Sequence, residues 1–530
     1  MVRREADAYS PQKGKLARMR RPRQVPRPLI AAATGLLSAA AFPPFGARPL
    51  IWIAPIPLLW ALDQERGVGW RRAFLLGWIA AATHFVLTLH WILALPGEEV
   101  TIPGLMVPAL LFLSAYLGIA FGAAAALAVW TARRTRLPVA LAWPLFATLA
   151  DAARSAGELA LPWGSWGYAL AHATPVLQFA SATGFWGLAL WVHLVGGLAY
   201  LVIRTEGRRM AVATLLVIVF CLPWIHGLVV LSRTGGEEGT AGRSMRISLI
   251  QPNTSREIKW DPAFRDIVID DLLARTRHAA LGRPDLIVWP ETATPIVLLQ
   301  EPVYLQRVEE TVRELGVPLL AGTLEHHLEG KEYVAHNSAA LFDAGGRIVD
   351  RYDKRRLVPF SERMPFQRTL PFLAGLNFGQ SDFSPGSRWV LFPVGDDTRA
   401  GCLICFESIF PEVARGFVSR GAGLLINITN DFWFGDTAAP VQHAEMAVFR
   451  AVETRTPLVR CANTGISMVV DPYGRVTHQT RTFVEAQVDA RIFPTGKGSF
   501  YTRHGEWLLM TLLAIASAWV IAALSLKGRR

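Results

Sequence analysis

Gly401-Cys402-Leu403-Ile404-Cys405-Phe406-Glu407-Ser408 is an apolar, β-like run that ends on a thiol. A helix start follows at Phe410-Pro411, since proline fits a first helical turn, where its missing N–H costs no bond. Cys405 therefore falls on a strand-to-helix turn. Backbone N–H groups and a helix N-terminus gather at such a turn. They are expected to lower the pKa of the thiol, and the N–H of Phe406 is placed to donate to an oxyanion. A cysteine found alone is more often an inert packing residue, so the weight falls on what stands at the other strand ends.

Glu291 follows the apolar run Leu286–Trp289 and Pro290, and Lys354 lies in Tyr352-Asp353-Lys354-Arg355-Arg356-Leu357-Val358-Pro359-Phe360. Each is a weak signal by itself. A glutamate after proline is usually a turn or cap residue, and Lys-Arg-Arg is usually a solvated face. Together with Cys405 they place a carboxylate, an ammonium and a thiol, each at the end of an apolar run. A carboxylate partly desolvated beside a tryptophan suits a general base. An ammonium turned inward suits an oxyanion, and the thiol suits a nucleophile. Glu362 follows eight residues after Lys354 and can enter the same pocket. The set points to acyl transfer. The four cysteines, Cys221, Cys402, Cys405 and Cys461, show no zinc spacing, so no metal is expected. Cys402 and Cys405 form a CxxC, read as a buried structural Cys402 beside one reactive Cys405 rather than a redox pair.

Of the 530 residues 52% are hydrophobic and 18% charged, against roughly 25% charged in average proteins. The mean hydropathy is +0.29. Apolar residues concentrate in the first 231 residues and in the last stretch, whereas 232–505 has the composition of a globular domain. A membrane protein with a soluble insertion follows. The net charge of +12 is not a nucleic-acid footprint, because the basic residues crowd the stretch before the first apolar run and the short loops between runs. There they set topology and meet anionic headgroups.

Eight spans are read, at about 29–44, 50–62, 73–95, 105–131, 137–154, 176–203, 211–231 and 507–526. The first two are short, and Pro43-Pro44 and Gly46 break them into a hairpin. Alternate connections are basic: Arg66, Arg71 and Arg72; Arg133, Arg134 and Arg136; Arg204, Arg208 and Arg209; Lys527, Arg529 and Arg530. By the positive-inside rule the chain divides into a basic cytoplasmic tail (1–28), a membrane domain of about seven helices (29–231), a periplasmic domain (232–505) and a C-terminal span with a basic cytoplasmic tail (506–530). The first span reads as an anchor rather than a cleaved signal. The outer-side loop from Leu161 through Trp163 and Trp166 to Tyr168 has two readings, an interfacial aromatic belt or the lining of a lipid entrance. His84, His90, Asp151, Arg154, Glu158 and His193 lie in or near spans, and for most of them placement at the interface is expected.

Within 232–505, β-like runs recur at Arg246–Gln251, Leu286–Trp289, Pro318–Gly322, Ser338–Phe342, Trp389–Phe392, Gly401–Cys405, Leu424–Ile428, Leu458–Ala462 and Ser467–Val470. Helical segments are expected at about 262–280, 302–315, 411–420 and 437–454. Several runs are continuously apolar, as in strands buried on both faces, and the alternation argues for a layered α/β domain.

Three stretches carry a resemblance beyond Trp289-Pro290-Glu291. They are Asp353-Lys354-Arg355-Arg356-Leu357-Val358-Pro359-Phe360-Ser361-Glu362, Cys405-Phe406-Glu407-Ser408-Ile409-Phe410-Pro411 and Asn427-Ile428-Thr429-Asn430-Asp431-Phe432-Trp433-Phe434-Gly435. The joint pattern resembles the nitrilase, or carbon–nitrogen hydrolase, superfamily. With the flanking spans, nearly the whole chain beyond residues 1–28 is similar to the bacterial apolipoprotein N-acyltransferase family. The resemblance implies an α-helical polytopic membrane domain plus an α/β nitrilase-like αββα sandwich. It implies Glu291 as general base, Lys354 as oxyanion stabiliser and Cys405 as nucleophile, with Glu362, Phe406 and Glu407 in support. Phe406 stands where the family often has tyrosine. Trp260 matches a substrate-binding tryptophan, Trp163 joins it if the loop lines a lipid entrance, and Asn430, Asp431 and Trp433 shape the pocket floor.

The implied reaction moves a fatty acyl chain from a membrane phospholipid, through a Cys405 thioester, to the α-amine of the diacylglyceryl-cysteine of an apolipoprotein. It is ping-pong transfer at the bacterial inner membrane. No metal or soluble cofactor is needed, because the thioester stores the activation. The partners are phospholipid, apolipoprotein and membrane, with no nucleic acid. One rival is a membrane-tethered nitrilase-type amidase that uses water as acceptor, although a single helix would suffice as tether. A second is a transporter with a periplasmic domain, which leaves the Glu, Lys and Cys set unexplained.

Overall fold

A computed structural model describes residues 25–63, 67–95, 104–234, 244–259, 261–329, 332–370, 372–373, 381–395, 397–496 and 498–526. Trp260, Arg66, most of the basic tail and Lys527, Arg529 and Arg530 lie outside the described residues. The apolar N-terminal runs form α1 (Arg27–Ala40), α2 (Pro55–Leu62), α3 (Trp70–Thr88), α4 (Met106–Thr135), α5 (Val139–Ala153), α6 (Phe185–Arg204) and α7 (Arg209–Arg233). Among the described residues four helices are long and apolar enough to cross a membrane: α4, α6, α7 and the C-terminal helix Trp507–Ser525. The hairpin between the first two apolar runs is present, and α1 and α2 are only 14 and 8 residues long. The span expected over 176–203 begins only at Phe185. Its first part forms two short helices, Thr174–Leu177 and Ala180–Thr183, which end at Gly184 with φ 66°. A Cβ on Gly184 would lie 2.6 Å from the ring of Tyr501, so this sharp turn requires glycine.

The basic connections share one side of the bundle. Arg204, at the end of α6, pairs with Asp63 at 2.9 Å, and Arg134 donates to the carbonyl of Ala523 in the C-terminal helix. The α/β domain docks on the opposite ends of these helices, where Gln442 donates to the carbonyl of Pro43 and Tyr168 to that of Ile409.

Residues 244–496 build two six-stranded sheets. The first has the order β12-β1-β2-β3-β4-β5, from β1 (Met245–Gln251), β2 (Leu286–Val288), β3 (Leu319–Glu329), β4 (Glu332–Phe342), β5 (Ile348–Asp353) and β12 (Ala486–Ile492). The second has the order β11-β10-β9-β8-β7-β6, from β6 (Leu391–Pro393), β7 (Arg399–Ile404), β8 (Leu424–Thr429), β9 (Leu458–Ala462), β10 (Met468–Val470) and β11 (Val476–Gln479). Alternation along β2 sorts its side chains. Leu286 and Val288 join the core shared with the second sheet, and Ile287 and Trp289 join a separate core with α8 (Arg265–Ala280) and α9 (Pro302–Leu315). Each such fully buried aliphatic side chain contributes about 1.5–3 kcal/mol. The two sheets touch where the Cys461 thiol donates to the carbonyls of Ile250 and Val288. Helices α10 (Pro411–Val418) and α11 (Ala439–Thr454) cover the second sheet, completing the αββα layering.

Candidate active site

Three strand ends converge between the sheets. The turn after β2 carries Glu291, and its backbone presses so closely on β3 that a Cβ at Gly322 would strike the carbonyl of Pro290. Lys354 directly follows β5, and its N–H donates to the carbonyl of Asn337 in β4 at 2.8 Å. Cys405 directly follows β7. Glu291 and Lys354 are buried, 6% and 1% exposed, so their mutual charge acts at low local dielectric. Lys354 Nζ lies 2.8 Å from Glu362 Oε1 and 3.5 Å from Glu291 Oε1. Burial works against its charge, but Glu362 and then Glu291 more than compensate and hold its pKa above the usual lysine range. Glu291 is fixed at both oxygens. Asn337 Nδ2 donates to Oε1 at 2.7 Å, and the N–H of Asn430 donates to Oε2 at 2.7 Å. Asn337 Nδ2 also reaches Glu362 Oε1 at 3.0 Å, and the N–H of Val358 donates to Glu362 Oε2. Glu362 is therefore a supporting carboxylate that anchors the ammonium.

Cys405 has φ 50°, a left-handed conformation that is costly for a residue with a Cβ. The surroundings impose it. Glu407 Oε2 accepts from the N–H of Ile404 at 2.8 Å, just before the turn. Glu407 Oε1 accepts from Tyr352 Oη at 2.7 Å and from the N–H groups of Arg355 and Arg356. One carboxylate thus ties the nucleophile turn to the Lys354 loop, a tighter role than that of a pocket neighbour. The lowered thiol pKa expected at this turn is not found. Burial, then the Glu291 charge, push the Cys405 thiol well up, and Lys354 offsets only part of this. A helix N-terminus is too weak and too solvent-dependent to outweigh full desolvation. At rest Cys405 is therefore a neutral thiol close to the Glu291 carboxylate.

Behind the thiol lies a polar network that the sequence reading missed. His443 on α11 places Nε2 3.2 Å from the Cys405 carbonyl and 3.0 Å from Ser408 Oγ, which itself donates to that carbonyl. His443 Nδ1 faces Asp431 Oδ1 at 3.0 Å, and Arg460 Nη2 donates to Asp431 Oδ2 at 2.7 Å. Burial opposes the charge of Asp431, but Arg460 and His443 hold its pKa below the usual range. Candidate metal-ligating atoms of Cys405, Asp431 and His443 lie within 4.8 Å of one another. The Arg460 guanidinium already occupies this carboxylate and would repel a cation, so the group reads as a hydrogen-bonded brace. A second lysine also enters the site. Lys259 lies with Nζ 3.4 Å from Thr292 Oγ1, and burial brings its pKa down to about 8 against the pull of Glu291.

The remaining expected residues divide. Trp260 lies outside the described residues. Asn430 meets Glu291 through its backbone, whereas Trp433, on the next turn, is 37% exposed. Trp163 is buried, so it forms no exposed interfacial belt. Its ring packs against Trp91, Phe434 and His443, and its Nε1 donates to Gln442 Oε1 at 2.6 Å. Phe406 packs edge-on against Phe410. Cys402 is buried and free, as the structural reading expects. Several ionisable groups expected at span ends are buried instead. Asp151 and Arg154 form an ion pair that holds loop 161–165, and His84 bonds Ser38 and the Gly164 carbonyl. Polar residues inside apolar runs, Asn337 and His443 among them, were the available signal. Their partners come from distant segments and leave no local spacing.

Residues 246–493 match the carbon–nitrogen hydrolase family, and residues 34–198 match the apolipoprotein N-acyltransferase N-terminal domain. The apolipoprotein N-acyltransferase of Geobacter metallireducens is 36% identical over 511 residues, covering 94% of this chain and 95% of that protein. The protein of that name from Allorhizobium ampelinum is 32% identical, covering 95% and 97%. Among solved structures, Saccharomyces cerevisiae Nit3, of the nitrilase superfamily, is similar over 48% of this chain and 91% of its own, at 20% identity and a TM-score of 0.37.

Proposed function

The chain belongs to the apolipoprotein N-acyltransferase family, membrane enzymes that acylate apolipoproteins on nitrogen, and from that premise we propose the donor, the order of steps and the residues that perform them. Glu291 takes the proton of Cys405 as the sulfur attacks the ester carbonyl of a membrane phospholipid. Lys354 and the N–H of Phe406 hold the tetrahedral oxyanion. Collapse breaks the ester C–O bond, and Glu291 returns the proton to the departing lysophospholipid. The acyl group stays as a thioester on Cys405. The α-amine of a diacylglyceryl-cysteine then attacks, the C–S bond breaks, and Glu291 carries the released proton back to sulfur. Trp260 and Trp433 contact the acyl chain, and the α/β domain faces the periplasm from the inner membrane.

The observation that carries this reading is a buried, neutral thiol between a carboxylate locked at both oxygens and an ammonium held charged by two carboxylates. Such a thiol is inert until a base acts on it in a bound complex. That protects the sulfur from idle oxidation.

The test is mass spectrometry of the purified protein incubated with phospholipid vesicles, followed by a diacylated lipopeptide. A fatty-acyl mass increment on Cys405 that moves to the lipopeptide amine is expected, and Cys405→Ala should show neither. Release of free fatty acid without transfer would favour the amidase-type alternative instead.

A further inference from the structure

A cavity of about 380 Å³ opens next to the nucleophile turn, and the proposed chemistry does not use it. Phe406 and Phe410 form one wall. Gly157, Glu158 and Ala160, from the connection after α5, form another. The rest mixes Leu357, Val358 and three prolines with four guanidiniums, those of Arg355, Arg356, Arg363 and Arg368, against the single carboxylate of Glu158. Two of these guanidiniums have structural partners. Arg356 pairs with Glu412 at 2.8 Å, and Arg355 stacks on Trp389 and donates to the Ser387 carbonyl. Among the described residues, the Arg363 guanidinium donates to the Phe383 carbonyl alone, at 3.3 Å. Burial and then the charge of neighbouring Arg368 depress its pKa, against a weaker pull from Asp382 and Glu158. The Glu158 carboxylate is itself engaged by the N–H of Phe366 at 2.7 Å.

Like charges gathered around an open cavity cost energy unless an anion joins them. Guanidinium forks match phosphate oxygens in geometry as well as charge. The cavity also sits between the membrane-side connection and the residue next to Cys405, where a lipid with its ester at the thiol would leave its headgroup. We propose that this arginine-lined cavity binds the phosphate of the acyl donor, with Arg363 and Arg368 as its principal contacts. The inference rests on the reading of phospholipid as donor. It adds that the enzyme selects the donor by its phosphate and not by its acyl esters alone.

The experiment compares two donors that carry the same acyl chains in detergent micelles, a phospholipid and a diacylglycerol, and follows the acyl adduct on Cys405. The native protein is expected to prefer the phospholipid by at least about tenfold, the order set by one charge-assisted hydrogen bond. In Arg363→Gln/Arg368→Gln that ratio should collapse towards one, and Arg363→Lys/Arg368→Lys should restore part of it. Inorganic phosphate is the third arm. Weak inhibition, seen only at high concentration and only with phospholipid as donor, fits a lipid headgroup site. Saturable inhibition at low millimolar phosphate with both donors alike would assign the cavity to the free ion and overturn the proposal. An unchanged phospholipid-to-diacylglycerol ratio in the Gln variant overturns it too, with the donor reading intact. A native protein that takes no acyl group from phospholipid but is acylated by p-nitrophenyl esters overturns both readings together.

Discussion

Asn337 gives one amide nitrogen to two carboxylates, at 2.7 Å to Glu291 and 3.0 Å to Glu362, and so fixes the base and the anchor of the ammonium together. The two charged residues nevertheless fail differently when changed. Glu291→Gln keeps the shape but cannot take a proton, so acylation of Cys405 should fall by at least about 10²-fold, a typical general-base contribution. Lys354→Met keeps the stem and loses the charge. Both half-reactions pass through an oxyanion, so acylation and transfer should each slow by roughly 10²–10³-fold. Phospholipid added first and lipopeptide later times the two steps separately. Normal acylation by Lys354→Met would remove it from the oxyanion site. Lys259 sets a pH dependence. With its pKa near 8 it is an ammonium below that pH and neutral above it. The Cys405 thiol lies far above this range, so direct ionisation of the nucleophile adds no rising limb. Acylation should therefore decline as pH rises through about 8, as the field favouring thiolate and oxyanion is lost. Lys259→Met should be slower at pH 7 and flat across the same range. A native profile without that fall would separate Lys259 from the chemistry.

At the level of elements, the parts readable in the sequence were those whose side chains are apolar and buried. Helix α9 begins at Pro302 and ends before Gly316 with φ 66°, so both of its boundaries could be seen in advance. Strands β5, β11 and β12 were missed, and all three are sheet edges. β5 reads Ile-Val-Asp-Arg-Tyr-Asp and β11 is exposed along its length. Edge strands carry polar and charged residues that discourage pairing with other chains, so none of the three is an apolar run: β11 has one apolar residue in four, and β12 alternates Val488, Ala490 and Ile492 with Asp489 and Arg491. Strands β3 and β4 run longer than expected, since their far halves hold Glu325, His326 and His327 opposite His336, Ala335 and Val334. Glu291 and Cys405 were legible because each ends an apolar run, whereas Lys354 follows the charged edge strand β5 and was legible through the motif around it. The Asp431–His443–Arg460 brace was not, because only the packing of α11 on the second sheet brings it together. The nucleophile turn tests how far an element depends on one side chain. Glu407→Gln leaves an amide facing N–H donors on one of its two sides. Charge-assisted bonds of about 1.5–3 kcal/mol are weakened there. The unfolding midpoint should drop, and the turnover number should fall by roughly tenfold or more with little change in KM. An unaltered turnover number would show that the strained turn is held by the rest of the fold.

On the scale of the whole molecule, the helical part and the second sheet share one continuous core, whereas α8 and α9 cover the outer face of the first sheet with a separate one. Helix α11 is where they join. Within four residues it carries Gln442, which bonds Trp163 and Pro43; His443, which braces the Cys405 carbonyl; and Glu445, which pairs with Arg48 at 2.5 Å. The helix that braces the Cys405 turn thus also grips the helical part, so the same contacts fix the position of the thiol relative to that part, which supports the proposed attack on a lipid ester. The orientation of that arrangement follows from charge. Arg204 with Asp63, and Arg134 with the C-terminal helix, gather the basic connections at the ends of the bundle away from the α/β domain. Lys and Arg tend to hold loops on the cytoplasmic side, which supports the proposed placement of the domain on the other side. One added cysteine at position 234 or at position 136, in a Cys221→Ser background that keeps the buried Cys402, Cys405 and Cys461, puts this to the test. Thr234 ends α7 and touches Arg475 of the α/β domain, and Arg136 caps α4 in the basic turn. A membrane-impermeant maleimide added to intact spheroplasts should label Thr234→Cys and spare Arg136→Cys until the membrane is opened. The reverse pattern would place the catalytic domain in the cytoplasm, invert the charge argument and separate Cys405 from its proposed acceptors.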